Sequence, residues 1–293
     1  MTVYARQANG DLARLRTISG ANTRLCQPTS LFLDSGHGEI AATNDGGSAA
    51  NPDSITVYGW NADGNVAPLR RIFGPNTLLG NPAGVAVDAG NNWLVVVNNS
   101  RNSITIYSRT ADGDAAPLRQ ISGSETLLKR PEGVALDTTN NEIAVTNSGN
   151  KSVTVYSLVT AAGNAAPLRS IGGSNTGLND PRGIAIDTVH NELLVANEGG
   201  DSVLVYSRTA TGDVAPLRKI VGNTTKLDEP DGIAVDLAHD QIVVTNAGNR
   251  ESIAIFSRLA TGNTAPVRLF AAAALGLEEP VSVAVSAGRP VAP

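Results

Sequence analysis

The fold is decided by a repeated stretch that reads Val153-Thr-Val-Tyr-Ser157, Gly163-Asn-Ala-Ala-Pro-Leu-Arg169, Pro181-Arg-Gly-Ile-Ala-Ile-Asp187 and Glu192-Leu-Leu-Val-Ala-Asn197. Related stretches recur along the whole chain, and one aromatic residue marks each copy, about fifty residues after the last. These markers are Tyr4, Tyr58, Tyr107, Tyr156, Tyr206 and Phe256. A period of this length, built from short alternating segments, is typical of a β-propeller or a related repeat array.

One repeat contains four strand-like segments separated by turn-forming residues. The run Gly133–Asp137 is small and apolar, which predicts an inner strand that is buried on both faces. Glu142–Asn147 and Ser152–Ser157 alternate, which predicts half-buried strands. The proline near the start of Ala166–Ile171 fits an edge strand, because an edge residue can lack an N–H donor. Four strands joined by turns make one propeller blade.

Counting these segments predicts an all-β, six-bladed propeller. The first-strand motif begins at Pro28, Pro82, Pro131, Pro181, Pro230 and Pro280. The second strand occurs five times, ending at Asn44, Asn98, Asn147, Asn197 and Asn246. We therefore expect a single domain over 1–293, in which outer strands from 1–20 pair with an inner strand from 280–293 to close blade 6. Two prolines in Arg289–Pro293 predict that this blade is incomplete.

The string Pro-x-Gly-(Val/Ile)-Ala-(Val/Ile)-Asp resembles the NHL repeat, a family of mostly six-bladed propellers. It occurs at Pro82–Asp88, Pro131–Asp137, Pro181–Asp187 and Pro230–Asp236. Glu142–Asn147 is similar to the second half of that repeat, with Asn where the family usually has Asp. Related six-bladed lactonases and phosphotriesterases hold a divalent cation at the channel mouth, so the resemblance also implies a metal-dependent hydrolase as one alternative.

The amino-acid composition and the charge limit the classes of function that are expected for this protein. The net charge is −5 and the pI is about 5.2, which gives a nucleic-acid role no electrostatic support. No apolar run approaches the length of a transmembrane segment, and residues 1–20 already match the repeat, which predicts no signal peptide in this sequence. Few basic residues are lysines, and Asn, Ser and Thr are abundant, which favours a periplasmic or extracellular protein. Cys26 is the single cysteine, so no internal disulfide is expected.

Residues repeated in every blade are interpreted as structural, because one active site does not need six copies of a residue. We expect the repeated aspartates to accept turn N–H groups, the arginines to link blades, and the tyrosines to pack between sheets with solvated hydroxyls. The glycines of Pro-x-Gly should allow close backbone approach near the axis. The histidines lie in one kind of turn in separate blades, so no zinc site is expected there. These rows include Asp34, Asp88, Asp137, Asp187 and Asp236; Arg16, Arg70, Arg119, Arg169, Arg218 and Arg268; and His37, His190 and His239.

A candidate site lies where the repeats differ. The residue between Pro and Gly precedes each inner strand, near the predicted channel mouth, and reads Thr29, Ala83, Glu132, Arg182, Asp231 and Val281. The second strands end on the same predicted face. The predicted ligand-binding set is Glu132, Arg182, Asp231, Asn147, Asn197 and Asn246, with a salt-bridge ring that binds nothing as the alternative. A longer loop at 45–53 is expected on the same face, either as a tolerated surface insertion or as a loop that carries recognition.

Two function classes follow. A non-catalytic binding or scaffolding propeller, without a cofactor, is favoured because no nucleophile elbow or phosphate-binding loop is visible; it would contact a protein or small ligand at the channel face. The alternative is a hydrolase or lactonase that holds Ca²⁺ or Mg²⁺ with Glu132, Asp231 and Asn197, since carboxylate and amide oxygens suit these ions. We also expect that a strand from a neighbouring chain or domain can add to the incomplete sixth blade.

Overall fold

A computed structural model describes residues 1–5, 14–48, 51–249, 251–271 and 279–286. In it, five antiparallel sheets of four strands follow each other in chain order, and two further strands form a small sheet. The sheets are the blades of a β-propeller, as the repeat predicts. The described residues include no α-helix and no helix of the length and apolar character that crosses a membrane.

Each blade runs from an inner strand at the central channel to a short outer strand. The small sheet consists of β1 (Thr2–Val3) and β2 (Arg16–Thr17). Blade 1 consists of β3 (Pro28–Asp34), β4 (Glu39–Asn44), β5 (Ser54–Gly59) and β6 (Arg70–Phe73). Blade 2 consists of β7 (Pro82–Asp88), β8 (Trp93–Asn98), β9 (Ser103–Ser108) and β10 (Arg119–Ser122).

The last three blades repeat this plan. Blade 3 consists of β11 (Pro131–Asp137), β12 (Glu142–Asn147), β13 (Ser152–Ser157) and β14 (Arg169–Gly172). Blade 4 consists of β15 (Pro181–Asp187), β16 (Glu192–Asn197), β17 (Ser202–Ser207) and β18 (Arg218–Val221). Blade 5 consists of β19 (Pro230–Asp236), β20 (Gln241–Asn246), β21 (Ser252–Ser257) and β22 (Arg268–Ala271). One-turn 3₁₀ helices span Ala21–Thr23, Pro75–Thr77, Ser124–Thr126, Ser148–Asn150 and Glu198–Gly200.

The hydrophobic core lies between neighbouring sheets. For example, Val155 and Ile171 of blade 3 share one cluster with Leu193 and Tyr206 of blade 4, and all four side chains are buried. In blades 2, 3 and 4 each middle strand lies between two other blades, and both of its faces are buried. Burial of apolar surface between sheets is therefore the main force that holds the blades in a ring.

The tyrosine row differs from the prediction in one respect. The rings pack between sheets as expected, but the hydroxyls are buried instead of solvated. Tyr107 Oη donates to the carbonyl oxygen of Thr77 at 2.5 Å, and Tyr206 Oη donates to that of Thr176 at 2.6 Å. Burial raises the pKa of Tyr107 to about 12. Each of these tyrosines thus fastens its blade to the loop that precedes it.

The glycine of Pro-x-Gly is required by the crowding of the inner strands. A Cβ atom at Gly133 would lie 2.5 Å from the carbonyl oxygen of Arg182 in the next blade. At Gly183 it would lie 2.4 Å from the carbonyl oxygen of Asp231. The predicted close approach of backbones near the axis is confirmed, because neither distance can accommodate a side chain.

The predicted number of six blades is wrong: the described residues form five. The sixth sector, defined here as β1, β2 and residues 279–286, contains no four-stranded sheet. Thr2–Val3 pairs with Arg16–Thr17, and 280–286 forms no ladder in the described residues. The physical reason is that the sequence has five second-strand motifs for six first-strand motifs. Among the described residues, no second strand lies between β1 and residues 280–286 to pair with both.

The sixth sector nevertheless contacts both of its neighbours. The backbone N–H of Leu31 in blade 1 donates to Ser282 Oγ at 3.2 Å, and Ser282 Cα lies against Gly232 of blade 5. Tyr4 and Val283 pack on the blade 5 cluster that contains Phe270. Residues 6–13 of the predicted outer-strand segment 1–20, and the tail at 287–293, lie outside the described residues. The assignment of 1–293 to a single domain stays a prediction.

Candidate functional site

The three charged residues of the Pro-x-Gly column begin the inner strands of adjacent blades and line one cavity. Glu132, Arg182 and Asp231 are the second residues of β11, β15 and β19. In these three blades the strand pairing skips from Pro to the residue after Gly, as in β11 from Pro131 to Val134. Such a bulge redirects the intervening side chain. All three side chains line a central channel cavity of about 1140 Å³.

Glu132 is held by neighbours from three blades. Its Oε1 accepts hydrogen bonds from Asn99 Nδ2 at 2.7 Å and from Ser148 Oγ at 3.0 Å. Arg182 Nη1 lies 3.2 Å from the same oxygen. Burial raises the pKa of Glu132, and the positive charge of Arg182 opposes that rise. The carboxylate is therefore fixed in position and partly neutralised.

Arg182 is surrounded by carboxylates. Besides Glu132, its Nε contacts Glu198 Oε2 and lies 3.6 Å from Asp180 Oδ1. Burial alone would lower the pKa of Arg182, but the charges of Glu132, Glu198 and Asp180 outweigh burial and raise it. The guanidinium is thus fully compensated by acidic partners, and it has little positive charge left to attract an anionic ligand.

Asp231 is the exception in this cluster, because no hydrogen bond or ion pair within 4 Å joins its carboxylate to another described residue. Burial raises its pKa to about 7; Arg182 opposes the rise, and Glu198, Glu132 and Asp180 add to it. A carboxyl group that lines a cavity, lacks a partner and titrates near neutral pH is a candidate functional group.

The remaining members of the column are not charged and do not extend the cluster. Thr29 Oγ1 donates to the carbonyl oxygen of Pro82 at 2.6 Å, which joins blade 1 to blade 2. Ala83 packs against the apolar cluster of blades 2 and 3. Within the Pro-x-Gly column, the charged residues are therefore confined to blades 3, 4 and 5.

The asparagine row lies apart from the cavity. Asn147, Asn197 and Asn246 are 0% exposed. Each side-chain oxygen accepts a backbone N–H from the loop before the inner strand, from Lys129, Asn179 or Asp228. Their Nδ2 groups donate to Thr154, Ser202 and Ser252. A ligand-binding role for the three asparagines stays a prediction. Their amide groups already form hydrogen bonds within the protein.

Sequence reasoning missed the residues that support the charged cluster. Ser148 and Glu198 follow the second-strand asparagine directly, as does Asp45, which lines the cavity. The sequence does contain a signal for these residues, because the residue directly after the second-strand asparagine varies from blade to blade. It reads Asp45, Asn99, Ser148, Glu198 and Ala247. It lies beside the Pro-x-Gly column because the inner and second strands pair at that end.

The aspartate and histidine rows form turns. His37 and His190 place Nδ1 at 2.8 and 2.7 Å from the carboxylates of Asp34 and Asp187. Asn91 Nδ2 makes the same contact with Asp88 at 2.7 Å. The aspartates also accept the backbone N–H of the same residues, as predicted. The described residues contain no group of three or more His, Cys, Asp or Glu that could hold a metal ion.

The arginine row links blades, as predicted. Arg70 and Arg169 form two-pronged ion pairs with Glu39 and Glu142 of their own blades. Arg169 also donates to the carbonyl oxygen of Arg208 in the next blade. Paired hydrogen bonds of this kind match the planar guanidinium to a carboxylate of the protein, so these arginines are structural.

Comparisons with known proteins agree with this architecture. Residues 128–156 match the NHL repeat family model. A search of curated proteins gave no match. A structure of a nidogen/laminin complex aligns with a TM-score of 0.61 and 14% identity, over 83% of this chain and 80% of that one. A provisionally assigned 6-phosphogluconolactonase from Bacteroides uniformis ATCC 8492 aligns with a TM-score of 0.60 and 16% identity, over 87% and 74%.

A protein from Lactobacillus plantarum is a further structural neighbour, with a TM-score of 0.62 and 18% identity over 88% of this chain and 74% of that one. Identities this low show a common fold and carry no information on activity. The NHL match falls on blade 3 and the loop before it, where the Pro-x-Gly motif is complete. The chain is therefore an NHL-repeat-like β-propeller.

Proposed function

We propose that this propeller is a non-catalytic binding protein that takes a positively charged group of a small ligand or partner protein into the channel mouth. The charge of the cavity lining carries the proposal. Among the described lining residues, one guanidinium, Arg182, stands against five carboxylates. These carboxylates belong to Asp45, Glu132, Asp231, Glu251 and Glu279.

Asp231 is the group that a bound cation would satisfy. Its carboxylate is desolvated without a compensating partner among the described residues, whereas Glu132 already pairs with Arg182. Asp231 is half-buried. A partly desolvated charge without a partner is unfavourable, and a cation placed beside it offsets that cost. An ammonium or guanidinium group at the mouth would therefore bind Asp231 and hold it ionised.

The wall below the charged mouth favours a ligand with an apolar body. The lining side chains of the inner strands are aliphatic, including Val134, Leu136, Ile184, Ile186 and Val235. Burial of an alkyl chain against such a wall contributes roughly 0.8 kcal/mol per methylene group. The ligand class that fits both parts is an alkyl chain or side chain with one cationic end.

Calorimetry with three probes of one shape tests the proposal: hexylammonium, hexanol and hexanoate. We expect hexylammonium to bind at least tenfold more tightly than hexanoate, with Asp231→Asn weakening it at least tenfold. Glu125→Gln, an exposed carboxylate outside the cavity lining, is the matched control and should leave the affinity unchanged. Equal affinities for the two charged probes, or no effect of Asp231→Asn, would overturn the proposal.

A divalent-metal hydrolase at the same mouth is the second candidate. It is favoured by the pKa of Asp231, which suits a general base near neutral pH. Of the three predicted ligands, Glu132 and Asp231 line the cavity, whereas Asn197 Oδ1 accepts the N–H of Asn179 and does not fit. Two carboxylates would then bind the ion. The substrate class named by one neighbour, a phosphorylated lactone, is anionic and would be repelled by this lining.

Thermal melting in millimolar Ca²⁺ or Mg²⁺ separates the two candidates, because an ion that binds the folded state stabilises it by mass action. The binding proposal expects no shift of the melting temperature. A rise of several degrees that disappears in Asp231→Asn would favour the hydrolase. Ion-dependent hydrolysis of a neutral lactone would support the hydrolase and contradict the binding proposal.

The sixth sector is part of the same proposal as a second contact surface. Residues 280–286 form no ladder in the described part of the chain, and a strand from a partner can pair with such an edge. One structural neighbour comes from a complex of two proteins, which supports a protein partner. The small number of lysines and the abundance of Asn, Ser and Thr support a location in the periplasm or outside the cell. Light scattering at high concentration tests strand addition between copies, and a strict monomer would count against it.

A further inference from the structure

A second cavity lies on the outer rim of the propeller, between the outer strand β6 of blade 1 and the loop that precedes this blade. Its volume is about 580 Å³. We call it the rim pocket, and its lining residues are Asn22, Arg24, Ala67, Pro68, Arg71 and Phe73. None of them lines the central channel, so the rim pocket is a separate site.

Arg71 is a half-buried arginine without a carboxylate partner among the described residues. Its guanidinium carbon lies 4.6 Å from the centre of the Phe73 ring. Its Nη2 reaches Pro52 O and Ser54 Oγ only at 3.5 and 3.4 Å, and its buried Nε has no hydrogen-bond partner. The Nη donors therefore make only long hydrogen bonds to the described protein and can serve an acceptor that enters the pocket, whereas the Nε is enclosed.

The neighbouring Arg70 differs from Arg71 in having a carboxylate partner, although the buried Nε of each residue lacks a hydrogen-bond partner. Arg70 donates from both Nη atoms to Glu39, at 2.9 and 2.8 Å. Arg71 has Arg24 as its charged neighbour instead, and burial together with the charge of Arg24 lowers the pKa of Arg71. Two guanidinium groups at one cavity repel each other unless an anion lies between them.

This pairing of cations is peculiar to blade 1. Arg24 occupies a left-handed position after a 3₁₀ turn, with φ of 61°. The equivalent residues before blades 2 to 5 are Leu78, Leu127, Gly177 and Lys226. The residues equivalent to Arg71 in those blades are Gln120, Ser170, Lys219 and Leu269. No other complete blade combines two cations at these positions, so the repeat architecture itself does not require them.

We propose that the rim pocket binds a phosphate monoester dianion attached to an aromatic or apolar group. Two guanidinium charges match the two charges of the dianion, and the planar fork of Arg71 suits phosphate oxygens. Phe73, which is 39% exposed, and Pro68 provide an apolar wall for the attached group. This site is independent of the cation site proposed at the channel mouth.

Calorimetric titration with phenyl phosphate tests the proposal, with blade 2 supplying the substitutions. Arg71→Gln and Arg24→Leu copy Gln120 and Leu78, and each should weaken binding at least tenfold. Lys219→Gln is the control, because Lys219 is the residue of blade 4 that is equivalent to Arg71. It should change the affinity less than twofold. Unchanged affinity in a folded Arg71→Gln variant, shown by its circular dichroism, would overturn the proposal.

Two further measurements fix the ligand class. Phenyl sulfate and phenylacetate carry one charge and should bind at least fivefold more weakly than phenyl phosphate above pH 7; equal affinity would refute the dianion. Phe73→Ser, the blade 2 residue, should weaken phenyl phosphate but not inorganic phosphate, and equal loss for both would refute the apolar wall. Asp231→Asn should leave phenyl phosphate binding unchanged, which keeps this test separate from that of the channel.

Discussion

The guanidinium of Arg119 lies 4.5 Å from the centre of the Trp93 ring in blade 2. In blades 1, 3 and 4 the position of Trp93 carries a glutamate that binds one arginine of its own blade and one of the next. These pairs join Glu39 to Arg70 and Arg109, Glu142 to Arg169 and Arg208, and Glu192 to Arg218 and Arg258. Blade 3 has Leu158 where the second arginine would stand, and Leu158 and Trp93 share one apolar cluster. One blade interface thus replaces an ion-pair network with apolar packing.

This substitution predicts coupling between Trp93 and Leu158. Trp93→Glu should lower the free energy of unfolding by about 2 kcal/mol, because it removes apolar contacts and leaves a carboxylate beside a leucine. Adding Leu158→Arg should recover part of this loss by restoring the Glu–Arg–Arg arrangement of the other blades. A double-mutant cycle measured by urea denaturation should give a coupling of about 1 kcal/mol. Strict additivity would contradict the prediction.

Gly133→Ala should destabilise the protein by at least about 2 kcal/mol, since the new methyl group would lie 2.5 Å from a backbone oxygen of the next blade. Gly59→Ala is the control. A Cβ at Gly59 meets only Leu69 Cδ1, at 3.9 Å. The control should stay within about 0.5 kcal/mol of the native chain in the same denaturation experiment. A Gly133→Ala variant as stable as the control would mean that the inner strands can move apart.

Asn147→Ala should lower the free energy of unfolding by about 1–3 kcal/mol, because it removes the buried side chain that accepts the Lys129 N–H and donates to Thr154 Oγ1. Its affinity for hexylammonium should not change if the amide is purely structural. Measuring stability and affinity on the same preparation separates the two roles. A loss of affinity with native stability would instead support the predicted ligand-binding role of the asparagine row.

Asp231→Asn should stabilise the protein, and more at high pH. The folded-state pKa is raised to about 7 by burial, above the ordinary value of the unfolded chain. At a pH between the unfolded-state pKa and the folded-state pKa, the folded state binds more protons than the unfolded state. The native protein therefore loses stability as the pH rises towards 7. The gain from Asp231→Asn should be about 2 kcal/mol larger at pH 8 than at pH 5. An equal gain at both values would show that the carboxylate titrates normally.

The candidate site was only partly predictable. Glu132, Arg182 and Asp231 could be found because they vary inside a constant motif, and the structure places all three in one cavity. The asparagines satisfied the same test of proximity along the chain but are buried in backbone contacts. Proximity in sequence predicts which end of a strand a side chain occupies. It does not predict whether that side chain faces the channel or the loop beneath it.

The sequence by itself determined the blade: its period, its four strands, the turn aspartates, the linking arginines and the glycine at the axis. These are local or nearest-neighbour properties, repeated in every copy, so composition and spacing are enough to specify them. The tertiary structure decided the number of complete sheets, the fate of the sixth sector, and the meeting of Arg24 with Arg71 and of Arg182 with its carboxylates. Those outcomes depend on contacts between distant segments, whose geometry is set by how the blades pack and not by the order of residues within any one of them.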